Sequence, residues 1–275
     1  MGWDPRYLAV FIFIIAILLE TVVIHIVLPM LTRSGAVRDN YRHDQVPVAG
    51  GLTFPITILL CYVLIQLTNG YTGNRFTLYL LAVIGMAFLG FIDDMLGQRD
   101  SLGFRGHFSR LLKNGELTTG ALKALGGGMI AIYVSLFYSR NLGEFVVNVL
   151  VIALFTNCMN LFDLRPGRCV KAFLLLFIPL FLVSESYYTL FIPMAGAVLA
   201  YFPHDLKAQV MMGDAGSNVL GMTLGIMAVY GLELPAKLVI LVGLILLHIF
   251  TERYSLSKII DSNPFLRWLD RLGRS

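Results

Sequence analysis

Charge is what this sequence has least of. Only 14% of its 275 residues are Asp, Glu, Lys or Arg, where a soluble domain carries about a quarter. There is no basic run, and the net charge of +4 is spread over short segments between apolar stretches. That argues against a nucleic-acid-binding surface. The three cysteines, Cys61, Cys158 and Cys169, have neither metal-site spacing nor the density of a disulfide framework. Cys61 and Cys158 fall in apolar runs and read as small buried hydrophobes. No Walker A loop, dinucleotide fingerprint or nucleophile elbow occurs, and no internal repeat is visible, which weakens a repeat-built transporter.

What the chain does have is apolar length. It is 57% hydrophobic, with mean hydropathy +0.76, and a crossing helix needs about 20 apolar residues. Nine spans are expected, at roughly 8–31, 48–68, 76–92, 118–138, 143–160, 170–184, 187–203, 216–231 and 235–251. The first is too long for a signal-peptide core and lacks a small-residue cleavage site, so it reads as a retained helix. Arg6 argues against an N-terminal myristoylation motif. The fold class is therefore all-α: a polytopic membrane bundle over residues 1–251. A cytoplasmic amphipathic tail follows over 252–275, whose Ile259, Ile260, Leu266, Trp268, Leu269 and Leu272 could lie along the membrane surface.

With the N-terminus outside, sixteen of the 21 Lys and Arg fall in inner segments and three in outer ones, with Lys123 and Lys237 inside spans. The positive-inside bias thus sets an outside start and a cytoplasmic end. The same orientation, set without using acidic residues, brings four carboxylates to the inner face. Asp93 and Asp94 end the third span, Asp163 follows the fifth and Asp214 precedes the eighth.

Ionised groups at bilayer depth are costly and usually mark a working site. Adjacent Asp93 and Asp94 repel, and favour a cation, a basic neighbour or a shared proton. The plainer reading is a solvated helix end bridged to Arg99 or Arg105. Asn157, Asn160 and Asp163 recur at i, i+3 and i+6, where neighbouring members share a helical stripe. Their oxygens suit a hard cation, and the amides could read a sugar or base. Arg165 and Arg168 flank a Pro166-Gly167 turn, where guanidinium forks suit phosphate; a helix stop with inner-face charge is the alternative. Asp214 and Ser217 could be helix caps, while Gly213 and Gly216 would let backbone approach a phosphate. His107 shares a loop with Arg105 and the paired acids, and phosphate contact is one reading of it.

Four motifs in order resemble the polyprenyl-phosphate N-acetylhexosamine-1-phosphate transferases, a superfamily within glycosyl transferase family 4. They are Pro47-Val48-Ala49-Gly50-Gly51, Phe91-Ile92-Asp93-Asp94, Asn157-x-x-Asn160-x-x-Asp163 and Met212-Gly213-Asp214-Ala215-Gly216-Ser217. The resemblance spans about residues 30–225. It implies a multi-pass plasma-membrane enzyme of cell-envelope synthesis with its site on the cytoplasmic face. Such an enzyme moves a sugar-1-phosphate from a UDP-sugar to a polyprenyl phosphate and releases UMP. It also implies Mg2+ held by Asp214 and Asn160, and catalytic roles for Asp93, Asp94 and Asp163. Substrate contacts would come from Asn157, Arg105, His107, Arg165 and Arg168. The partners implied are the lipid phosphate, the UDP-sugar and the membrane, with no nucleic acid; a homodimer is allowed.

The chain departs from the family pattern at Leu164-Arg165-Pro166-Gly167-Arg168, where a glycine-rich stretch is usual. It has the single His248 where a histidine-rich loop is usual, and nine spans where many relatives have ten. The metal and lipid-phosphate half is thus expected intact and the donor half altered. Two other functions compete: a non-catalytic relative that binds lipid phosphate, and an ion-coupled transporter. The transporter would more naturally carry its acids near mid-span.

Overall fold

The computed structural model describes residues 5–69, 73–97, 118–183 and 188–274. Every expected span corresponds to a helix: α1 (Pro5–Arg33), α2 (Thr53–Asn69), α3 (Asn74–Leu96), α4 (Thr119–Tyr138), α5 (Leu142–Phe162), α6 (Arg168–Val183), α7 (Tyr188–Leu206), α8 (Asp214–Gly231) and α9 (Leu234–Arg253). Two short helices follow, α10 (Leu256–Ser262) and α11 (Pro264–Arg271). Among the described residues, six helices are long and apolar enough to cross a membrane: α1 to α5 and α9. The chain is therefore a polytopic helix bundle with several membrane-length helices.

The helices sort by what surrounds them. α8 is the hub, with every residue from Ala215 to Tyr230 buried, packed on α3, α5 and α6. A helix enclosed by protein needs no lipid-facing stripe, so α8 can carry small and polar residues. Gly221 and Gly225, four apart, use this: a Cβ at Gly221 would lie 2.3 Å from the carbonyl oxygen of Phe155, and one at Gly225 2.6 Å from the Cα of Ile152. Small residues at that spacing let α8 approach α5 closely. Between membrane helices such packing replaces the hydrophobic effect as the driving force. α1 packs on α2 and α7 and exposes Val10, Ile14, Leu18, Val22 and Ile26, one stripe at four-residue intervals.

The segment between α1 and α2 forms a two-stranded antiparallel hairpin, β1 (Val37–Asp39) and β2 (Gln45–Pro47). It leads into a 3₁₀ turn at Gly50–Leu52. The Pro47–Gly51 motif then docks by backbone bonds onto the segment before α8. Met211 N–H donates to Pro47, and the Gly50 and Gly51 amides donate to Met211 and Met212, at 2.9, 2.9 and 3.0 Å. Gly51 is required there, since its Cβ would meet the Cα of Gly216 at 2.0 Å.

Both cations found inside spans have acidic partners. Lys237 pairs with Glu144 at 3.0 Å where α5 meets α9, and Lys123 joins the site below. All three cysteines are buried and free.

Candidate active site

The C-terminal ends of α3 and α5 meet the N-terminal ends of α4 and α8 at one end of the bundle. The key joint is between α3 and α8. Asp94 Oδ1 accepts the Asp214 amide and Oδ2 the Ala215 amide, both at 2.9 Å. A helix N-terminus carries unsatisfied amides and a positive dipole end, so a buried carboxylate there is stable. Gly213 precedes α8 with φ +71°, and a Cβ there would sit 2.4 Å from Asp94 Oδ2. Only glycine combines that left-handed backbone with that approach. Arg38 of β1 donates to the main-chain oxygen of Asp94.

Asp93 points elsewhere. Lys123 of α4 donates to Asp93 Oδ2 at 2.7 Å and also to Asp214 Oδ2. One ammonium therefore sits between two carboxylates from different helices. Asn218 donates to the Asp214 carbonyl at 2.8 Å. Beside this triad lies a cavity of about 310 Å3, whose polar wall includes Asp93, Lys123, Thr156, Asn157, Asn160 and Asn218. Asp163 ends α5. Burial, with the charges of Asp205, Asp214 and Asp94, pushes its carboxyl above the usual range, and the nearby Gly213 amide partly offsets this.

The sequence-derived residues thus separate into groups. Asp93, Asp94 and Asp214 form one bonded cluster, Asn157 and Asn160 line the cavity that Asp93 opens onto, and Asp163 stands next to Gly213. Arg105 and His107 lie outside the described residues. Arg165 and Arg168 line no part of the cavity and are already taken. Arg165 makes a bidentate pair with Asp261 at 3.1 and 2.8 Å. Arg168 is buried and grips Asp270 at 2.7 and 3.2 Å. In this structure two tail carboxylates about a hundred positions away engage both forks. Lys171 adds bonds to the carbonyls of Leu269 and Asp270. Arg274 donates to the Pro166 carbonyl at 3.0 Å and to Asp270 at 3.1 Å. The tail is thereby clasped onto the loop that follows Asp163.

Two residues escaped the motif reading. Lys123 was visible only as a cation in an apolar run, a costly placement that signals a partner. Asp205, buried near the end of α7, accepts the Gly167 amide at 3.0 Å.

The donor set bears on whether a hard cation could be held. Among the described residues, no three His, Cys, Asp or Glu side chains converge as a ready cage. Magnesium bound with substrate phosphates usually needs only one or two carboxylates and keeps its waters. Asp93 and Asp214 already share one positive group, and Asn160 brings an amide to the same cavity. The residues fit such an ion.

The glycosyl transferase family 4 profile matches residues 76–232, more than half of the chain. This chain belongs to that family. The match includes Asp93, Asp94, Lys123, Asn157, Asn160, Asp163 and Asp214, and stops before α9 and the tail. Three relatives are each named phospho-N-acetylmuramoyl-pentapeptide-transferase. One from Clostridium kluyveri is 28% identical over 229 residues, covering 78% of this chain and 71% of the relative. One from Acetivibrio thermocellus is 26% identical over 263, covering 86% and 76%. One from Clostridium perfringens is 25% identical over 302, covering 99% and 90%. The family 4 member described here is thus similar to membrane phospho-sugar transferases over most of its length.

Proposed function

We propose that the chain transfers a sugar-1-phosphate from a UDP-sugar to a polyprenyl phosphate at the cytoplasmic face of the plasma membrane, in envelope-polymer synthesis. The observation carrying this reading is the Asp93–Lys123–Asp214 triad, two of whose members, Asp93 and Lys123, line an amide-lined cavity, within the region that matches the family.

In the reaction, an oxygen of the lipid phosphate attacks the sugar-bearing phosphorus of the donor. The bond from that phosphorus to the bridging oxygen breaks and UMP departs with the electron pair. Such transfers need positioning and charge stabilisation more than covalent chemistry from the protein. Asp93, Asp214 and Asn160 would hold magnesium, which when bound supplies charge neutralisation for the diphosphate.

The remaining roles follow from the bonds each residue already has. Lys123 keeps Asp93 and Asp214 together and presents positive charge toward the cavity. Asn157 faces the same space and can hydrogen-bond the sugar or a phosphate oxygen. Asp94 has both oxygens engaged with α8 amides, so it positions Asp214 and does not act as a base. Asp163, whose carboxyl is pushed toward its protonated form, extends the polar rim toward the loop that follows it. Arg105 and His107 keep their proposed phosphate contacts. Arg165 could join them only by leaving Asp261, and Arg168 only by leaving Asp270.

The orientation, outside at the N-terminus and cytoplasmic at the C-terminus, rests on the charge bias. UMP release from a panel of UDP-sugars with undecaprenyl phosphate and magnesium tests the reaction. If no donor yields UMP while the lipid phosphate binds, the chain is a lipid-phosphate-binding relative.

A further inference from the structure

The last helix is inside out. Phe265, Leu266, Trp268, Leu269 and Leu272 fall at i, i+1, i+3, i+4 and i+7, a single helical stripe, and Arg267, Asp270, Arg271 and Arg274 fall on the other side. A helix docked on a water-soluble protein turns its apolar stripe inward. α11 does the reverse. Asp270 is 6% exposed, held by Arg168 and Arg274, whereas Phe265, Trp268 and Leu272 are 66%, 58% and 50% exposed. The polar face is the glue to the protein and the apolar face is left outward.

The place of this stripe says what covers it. α9 has the length and hydropathy of a membrane span and ends at Arg253, and α10 begins three residues later at Leu256. So short a link keeps the tail at the bilayer boundary. Arg253, Lys258 and Arg271 are exposed around it, the cationic fringe that anionic headgroups attract. Tyr254 and Trp268 are exposed aromatics, the residues that favour the headgroup level.

We propose that α10 and α11 form a monotopic element seated in an anionic lipid interface, with the apolar stripe of α11 in the lipid and Asp261 and Asp270 fastening it to the loop after Asp163. The lipid surface and the candidate active site are then joined through a single bonded segment. The proposal does not depend on the identity of the reaction.

The test uses the full chain with Trp3→Phe, which leaves Trp268 as the one tryptophan of the two. The protein is placed in nanodiscs of phosphatidylcholine and phosphatidylglycerol, with or without bromine on the acyl chains. A stripe buried roughly 5–10 Å into the headgroup boundary should lose about half its emission in brominated lipid and resist aqueous iodide. Quenching by iodide and not by brominated lipid would place the stripe in water and overturn the proposal. Protection from both quenchers, with disulfide cross-linking between two Trp268→Cys copies, would overturn it in favour of a second copy of the chain.

Discussion

Asp94 caps a helix that begins 120 positions later: its two carboxylate oxygens accept the amides of Asp214 and Ala215. The arrangement fixes where Asp214 points, and it makes the acidic pair at residues 93 and 94 unequal. One member builds the site and the other faces the cavity.

Asp94→Asn should therefore fail first as structure. An amide offers one acceptor oxygen where two are needed, leaving a buried N–H of α8 unmet, at a cost of about 1–3 kcal/mol. The thermal unfolding midpoint in detergent should fall correspondingly, with transfer activity falling alongside. An unchanged unfolding midpoint would remove the capping role.

Lys123→Met should show what the ammonium does. It leaves Asp93 and Asp214 facing each other without a counter-charge. Activity should fall about a hundredfold, the scale of losing one key electrostatic contact. Magnesium should then raise the thermal stability of the variant more than that of wild type, because only the added ion neutralises the pair. Equal magnesium shifts in the two proteins would separate the cation from these carboxylates.

The tail clasp should open in acid. Burial would raise the Asp270 carboxyl, but the hydrogen bond and charge of Arg168 and the charge of Arg274 outweigh it and hold the carboxyl below its usual value. A depressed carboxyl stabilises the folded form above the unfolded value, and that contribution is lost as pH falls through the lowered one. The clasp should thus be intact at neutral pH and weaken progressively below about pH 4. Spin-label distances between the loop after Asp163 and α11 measure it. Asp270→Asn should look open at pH 7; a closed Asp270→Asn tail would show that the ion pair is dispensable.

Orientation is testable by cysteine substitution, since the native cysteines are buried. Thr72→Cys, in a segment outside the described residues, should label from outside intact cells. Ser262→Cys, exposed in the tail, should label only after the membrane is opened. Labelling of both from the same side contradicts the charge-derived topology.

The helices were legible because each follows an apolar run, and a run declares itself locally, although only six of them, among the described residues, have the length and hydropathy to cross a membrane. Even α8, buried by protein from Ala215 to Tyr230, was found this way, although its burial was not: that follows from Gly221 and Gly225 meeting α5. The acidic half of the site was legible because Asp93, Asp94, Asp163 and Asp214 all fall at the ends of runs. Lys123 was not, because its partners lie 30 and 91 positions away. The pairing of Arg168 with Asp270 spans 102 positions, so nothing local to the Arg165–Arg168 turn announced it. The β1–β2 hairpin was also invisible, being too short for an alternating pattern to register.

The most direct measurement is transfer of labelled sugar-phosphate from UDP-sugar into polyprenyl phosphate by wild type and Asp214→Asn, each with and without magnesium. The account predicts lipid-linked product only with wild type and magnesium, and a loss of about a hundredfold or more in the variant. Near-normal transfer by Asp214→Asn at limiting magnesium would contradict it.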